Sequence, residues 1–432
     1  MTRIRKFQIV ALARVWNLAA GLGLVLVATL LFTPEQQGYF YTFLSLGAAQ
    51  YFCDLGVGFV LGNIAGRRTA GDVHGDPFQP EALANMRQIT RFALHWCLLT
   101  GAVLVVVLGV LGWRVFHGID TSHGPLVTIW YAYAVLAAYT MSLHMVLRIF
   151  EAVGFVVEAA LARSIQSLIN ILGVVALALL GWEMWAVVGA LALALAGATA
   201  YFWLTSAKIR SAFGRAQAGG RPIHWRRDVL PFQSRVAASF IGSYGIFQAQ
   251  VPLLFLYAGP VAAGQFGLMM QIFQAINTSA NIFLTFSIKS WTALAVAADW
   301  RGLLFSFRRV LAASTALTAV AALLVIAMVA GLAYWDLPMA ERFPSLPLVA
   351  LYALAACANQ VYFAWGYLFR TREEEPFWLL SLILAAMILL VPLILQESYT
   401  LTIATLAFTA ASVLGMCAAA SLYAVSLIRK WA

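Results

Sequence analysis

Eight ionisable side chains stand inside or at the edges of long apolar stretches: Arg14, Asp54, Arg148, Glu151, Glu158, Arg163, Arg235 and Lys289. A charge in such a place is costly, so it serves to pair, to anchor at an interface or to hold a ligand. Arg163, Gln166 and Asn170 recur at helical spacing on one face of one stretch, and Arg14, Asn17 and Gly21 do so on another. Polar stripes of this kind face protein or a water-filled cavity, because hydrocarbon cannot satisfy them. Arginines gathered on a cavity suit phosphate or diphosphate, whose oxygens a guanidinium binds in pairs. Arg14 precedes Pro34 by 20 residues. That is about 30 Å of helix, which puts it at the far edge of a bilayer; Arg148 and Arg235 come out at the same level. The competing reading makes these arginines snorkelling anchors that enforce topology.

Three further groups qualify. Asp54, in QYFCDLGVGFVLGN, sits beside Gly56, Gly58 and Gly62 in a helix that invites loosening. A carboxylate there either carries H+ or Na+ or pairs with an arginine of a neighbouring helix. Gln271, Gln274, Asn277 and Asn281 share one helical face and either bond sugar hydroxyls or tie helices together. Tyr352, Tyr362, Phe363, Trp365 and Tyr367 are either stacking platforms for sugar rings or interfacial aromatics.

Other chemistries lack their residues. The six histidines are scattered and the four cysteines (Cys53, Cys97, Cys357, Cys417) lie far apart in apolar segments, so no metal site is expected and the cysteines read as small core residues. No G-x4-G-K-[ST] is present to hold ATP. We expect no enzyme, no cofactor and no metal. The net charge of +10 comes from 23 Arg and 4 Lys without a dense basic run, which argues against nucleic acid as a partner.

The elements that must position these groups are membrane spans. Hydrophobic residues fill 63% of 432 positions and charged ones 10%, where a soluble domain carries about 25% charged. Apolar segments fall at 8–33, 38–65, 93–116, 125–149, 159–181, 186–206, 229–257, 262–288, 309–334, 346–368, 377–396 and 400–426. The first is too long for a signal-peptide core and reads as a retained helix. Starting inside and alternating, only Arg114 and Arg342 of the loop arginines and lysines fall outside. That bias predicts both termini in the cytoplasm, with membrane lipids as surroundings. The outer turns are a few residues long and leave no domain there for catalysis.

The longest inner loop, SAKIRSAFGRAQAGGRPIHWRRD, divides the chain near its middle into lobes at 1–215 and 216–432. Pro34, Gly38 and Phe40 after the first span are echoed by Pro260, Gly264 and Phe266 after the seventh. Arg148-x2-Glu151 is echoed by Arg370–Glu373. The expected fold is all-α and polytopic, with about twelve transmembrane helices in two parallel six-helix lobes around a central cavity.

The run LLFTPEQQGYFYTFLSLGAAQYFCDLGVG resembles the first-to-second-helix region of bacterial polysaccharide, or O-antigen, flippases. These belong to the multidrug/oligosaccharidyl-lipid/polysaccharide exporter superfamily, whose pattern L-G-P-E-x-x-G and later D-L-G is met by Pro34, Glu35, Gly38 and Asp54-Leu55-Gly56. Thr33 replaces the usual glycine. YAGPVAAGQFGLMMQI resembles the corresponding turn of the second lobe. The resemblance implies movement of a lipid-diphosphate-linked oligosaccharide from the cytoplasmic to the outer leaflet by alternating access, coupled to an ion gradient and alongside other polysaccharide-assembly proteins. Arg14, Asn17, Arg148, Arg163, Gln166, Asn170, Arg235, Gln271, Gln274, Asn277 and Asn281 are the candidate substrate contacts, and Asp54 the candidate ion carrier. The alternatives are a multidrug or cation antiporter of the same fold, and a non-transporting component of a polysaccharide synthesis machine.

Overall fold

The chain is a multi-pass membrane protein, and its described residues are helical almost throughout. Its structure, a computed structural model, describes residues 3–50, 57–69, 80–214, 223, 225, 241–370 and 377–431. The helices are α1 (Arg3–Leu31), α2 (Pro34–Gly47), α3 (Val57–Thr69), α4 (Pro80–Phe116), α5 (Leu126–Ala152), α6 (Val156–Leu179), α7 (Met184–Thr205) and the short α8 (Ala207–Ala212). They continue as α9 (Gln250–Val296), α10 (Trp300–Tyr334), α11 (Leu346–Arg370), α12 (Trp378–Leu395) and α13 (Leu401–Trp431).

Among the described residues, ten helical runs are long and apolar enough to span a membrane. Two details connect ten with the expected twelve. The run 241–295 contains two spans, separated at Gly259, where φ is 87° and ψ is 174°. Only glycine adopts that conformation readily, and Pro260 behind it has no N–H to continue the helix. The expected second span, 38–65, lies over α2 and α3, each too short to count alone. Residues 51–56, with Asp54 and Cys53, lie outside the described residues.

Helix ends depart from the hydropathy boundaries where charge begins. α4 starts 13 residues before the expected position 93 and includes Arg87 and Arg91; α10 starts nine residues early and includes Arg301, Arg308 and Arg309. A helix satisfies its own backbone and so runs on into the headgroup layer, where hydropathy no longer reports it.

Thr33 explains its own place in the sequence. Its Oγ1 accepts from the Gln36 N–H at 3.2 Å, and Gln36 Oε1 accepts from the Thr33 N–H at 3.1 Å. This reciprocal pair closes the start of α2, with Pro34 at the first helical position and Glu35 against the positive end of the helix.

The chain divides into two compact units, Met1–Phe32 with Phe43–Phe240, and Thr33–Thr42 with Ile241–Ala432. The expected lobe boundary at 215/216 falls on residues outside those described. In the first unit α1 packs on α6, α6 on α7, α5 on α7, and α3 and α4 on α5. In the second, residues 241–258 pack on α12, α12 on α13, α11 on α13, and the later part of α9 and α10 on α11. The order of neighbours is therefore the same in both. A further match lies in the short turns before α7 and α13, where Glu183 and Gln396 hold φ of 46° and 41°.

Both copies of the Pro-x3-Gly-x-Phe motif pack together inside the second unit. A Cβ on Gly38 would collide with the Pro260 carbonyl, and one on Gly264 would lie 2.9 Å from the Gly38 nitrogen. Gln37 Nε2 donates to the Gly264 carbonyl at 3.3 Å, and Phe40 and Phe266 are buried. The first unit's core is aromatic at one end, where Phe43, Phe116, Trp130 and Tyr133 meet at centroid distances of 5.0–5.5 Å. At the other end Phe150 stacks on Phe213 and Trp96 on Trp225. Arg87 Nε donates to the Ser211 carbonyl at 2.9 Å beside them. Cys97 is buried as expected, whereas Cys417 is exposed, against the expectation of a core position.

Thr33→Ala should cost about 1 kcal/mol through loss of the helix cap. Gly38→Ala should cost about 1–3 kcal/mol through overpacking. Unfolding midpoints in mixed detergent check both.

Candidate functional site

The candidate site begins with three helices of the first unit. Midway along α1, Trp16 Nε1 donates to Ser167 Oγ at 3.0 Å and to the Ser164 carbonyl at 3.2 Å. Ser167 Oγ in turn donates to Asn17 Oδ1 at 2.9 Å. On its other side α6 meets α5: Arg163 Nη1 donates to Glu151 Oε2 at 2.8 Å, and His144 Nε2 and Gln166 Oε1 lie 3.1 Å apart. α6 is thus held by side-chain polar bonds on two flanks within little more than one turn of helix. In hydrocarbon such bonds add to packing because water offers no alternative partner.

Local geometry fixes this register. α5 and α6 are joined by the tight turn Val153-Gly154-Phe155, with Gly154 at φ 108°. The turn sets α5 and α6 side by side: His144 and Gln166, 10 and 12 residues from Gly154, come nearly level, whereas Arg163, nine residues from it, reaches back along α6 to Glu151, three residues from it.

Three arginines stand on this frame. Arg14 on α1 is exposed and makes no ion pair among the described residues; Arg148 on α5 is exposed one turn before Glu151. Arg163 keeps 28% of its side-chain surface accessible and Glu151 keeps 29%. Asn170 is half-buried one turn beyond Gln166 and has no hydrogen-bond partner among the described residues. Arg235, expected at the same level, lies outside the described residues, as does Asp54. The frame can present guanidinium groups to an anion. Its described carboxylates are Glu151, engaged by Arg163, and Glu158 in the first turn of α6.

The amide face of the second unit splits in two. Asn281 Oδ1 accepts from Gln360 Nε2 at 3.2 Å, tying α9 to α11. Asn277 is 6% exposed and Gln360 fully buried, each with an oxygen lacking a hydrogen-bond partner. Gln271 and Gln274 are half-buried and carry no side-chain hydrogen bond among the described residues. Of the aromatics proposed as sugar platforms, Tyr352 and Trp365 are core residues. Tyr352 is 1% exposed and hydrogen-bonded with Thr405 at 3.1 Å, and Trp365 packs on Phe307. Neither ring has a face free for a ligand.

Sequence reasoning missed His144, Trp16, Ser164, Ser167 and Gln360. His144 looked isolated because its partner is 22 residues away across a turn. The polar pairs Trp16/Asn17 and Ser164/Ser167 were the legible sign of an α1–α6 seam.

No family model matches the chain, and no curated relative matches it. Solved structures do match over nearly its whole length. An inward-facing multidrug resistance MATE family transporter of the MOP superfamily matches with a TM-score of 0.65 at 14% identity, covering 100% of this chain and 99% of that one. The lipid II flippase MurJ, in an inward closed conformation, matches at 0.64 and 11% identity, covering 98% and 87%. A MOP superfamily transporter from Pyrococcus furiosus matches at 0.51 and 12% identity, covering 96% and 92%. The fold is that of MOP-superfamily transporters. That fold is shared by a multidrug resistance transporter and a lipid II flippase.

Ser167→Ala removes two of the three polar links between α1 and α6 and leaves Trp16 bonded to the Ser164 carbonyl. It should lower stability by about 0.5–1.5 kcal/mol, read as a shift in the unfolding midpoint.

Proposed function

We propose that this protein is a flippase for a lipid-diphosphate-linked oligosaccharide, moving it from the cytoplasmic to the outer leaflet of the bacterial inner membrane by alternating access. One observation carries the reading: Arg14, Arg148 and Arg163 stand on three helices locked together by polar bonds. A diphosphate needs such a group of fixed guanidiniums. A long lipid tail can stay in the bilayer while its charged head enters the protein, so only the head needs a polar lining. The same fold in a lipid II flippase is consistent with this class of substrate.

The remaining contacts follow from the head's chemistry. Gln271 and Gln274 offer amides to sugar hydroxyls; Asn170 extends the polar seam on α6. Asp54 is our candidate carrier of a coupling H+ or Na+. Both termini lie in the cytoplasm in this reading, because the basic loops then fall inside, and proteins of polysaccharide assembly supply and receive the substrate.

A second reading, a multidrug or cation antiporter, draws on the likeness to a MATE family transporter. A cationic drug wants carboxylates and open aromatic faces, whereas the α1–α5–α6 seam presents arginines.

In proteoliposomes, wild-type protein should expose a lipid-linked oligosaccharide to an outer-leaflet probe faster than empty vesicles do. Arg14→Gln with Arg163→Gln should abolish that gain while leaving insertion intact. Equal accessibility with and without protein refutes the proposal, and unchanged flipping in the double variant removes the arginines from it.

A further inference from the structure

Glu151 has no part in the reading above, yet it occupies the arginine that the reading needs. Its Oε2 lies 2.8 Å from Arg163 Nη1, and both side chains remain more than a quarter accessible. The pair is thus reachable by a ligand. A half-exposed pair of this kind is weak enough to exchange. Glu151 also follows Arg148 by three positions on α5, so it lies on the same face as a second guanidinium.

From this we infer that Glu151 is the resident counter-ion of the diphosphate site: it holds Arg163 when the site is empty, yields it when a diphosphate enters, and takes it back to expel the head on the far side. The inference rests on the flippase reading. Its physical basis is a general demand on carriers, which must bind strongly enough to load and weakly enough to let go. Several arginines closing on a diphosphate would bind it too tightly for rapid release. A tethered carboxylate competes at high local concentration and needs no other ligand to do so. Loading then also breaks the Glu151–Arg163 link between α5 and α6, while His144–Gln166 keeps the hairpin paired two turns away along α5.

Binding of inorganic pyrophosphate to the intact, detergent-purified protein, measured by calorimetry, tests the proposal. Glu151→Gln should bind about twofold to fivefold more tightly than wild type, since a weak competing pair is lost. Its flipping rate should fall even so, because release slows. Arg163→Gln should bind about tenfold or more weakly. The charge swap Glu151→Arg with Arg163→Glu should restore the wild-type unfolding midpoint but not pyrophosphate affinity. If wild type binds pyrophosphate and Glu151→Gln binds it equally or less well, the counter-ion role is wrong and the flippase reading survives. If the swap recovers both midpoint and affinity, the pair is a structural tie. A wild-type protein that neither binds pyrophosphate nor flips lipid overturns the flippase reading itself.

Discussion

In hydrocarbon, a backbone N–H or C=O that is not bonded within the protein has nothing else to bond. That constraint settles most of this structure. It forces each crossing into helix and confines breaks to places where the chain can close its own ends. The start of α2 closes through Thr33 and Gln36. The break in α9 falls at Gly259, next to a proline that has no N–H to satisfy. The turns before α7 and α13 are made with positive-φ residues, Gly181 and Glu183 in the first and Gln396 in the second, rather than with longer loops.

With backbone needs met inside each helix, side chains are left to specify which helices meet. Lipid tails are as apolar as leucine, so apolar contact alone gives little preference for one neighbour over another. Small residues and polar bonds supply it. Gly38 and Gly264 allow backbone to touch backbone. Trp16, Asn17, Ser164 and Ser167 fix α1 on α6, and Asn359 with Ser412 and Tyr352 with Thr405 fix α11 on α13. The polar residues of α6 therefore do two things at once. They hold the first unit together and set out the charged groups on which the function is argued.

Spans and their repetition could be read from the sequence because both depend on near-neighbour pattern: apolar length, turn residues and the recurrence of Pro-x3-Gly-x-Phe. The role of individual polar residues could not. Arg163 gave a charge and a helical face, but its engagement by Glu151 depends on a turn at Gly154 whose tightness no hydropathy profile reports. Asn281 and Gln360 meet across 79 residues, which requires knowing the packing of α9 on α11. Tyr352 and Trp365 show the same limit in reverse, since an aromatic in a span looks alike whether it faces a ligand or the core. Thr33 seemed a departure from a family pattern and proved to be a cap, a local role that the T-P-E-Q spacing already contained.

The length of α4 and α10 has a mechanical consequence. At 37 and 35 residues they measure about 55 and 53 Å, against a hydrocarbon layer of about 30 Å. Each overshoots by several turns, and the overshoot is where Arg87, Arg91, Arg308 and Arg309 sit. A rod that overhangs its layer has no single matching thickness. What fixes its height is its own guanidiniums, which will not enter oil, much as a keel's depth is fixed by its load line. A thinner or thicker bilayer would then be met by tilt of these two rods rather than by strain in the turns, leaving the short turns undisturbed across membranes of different composition.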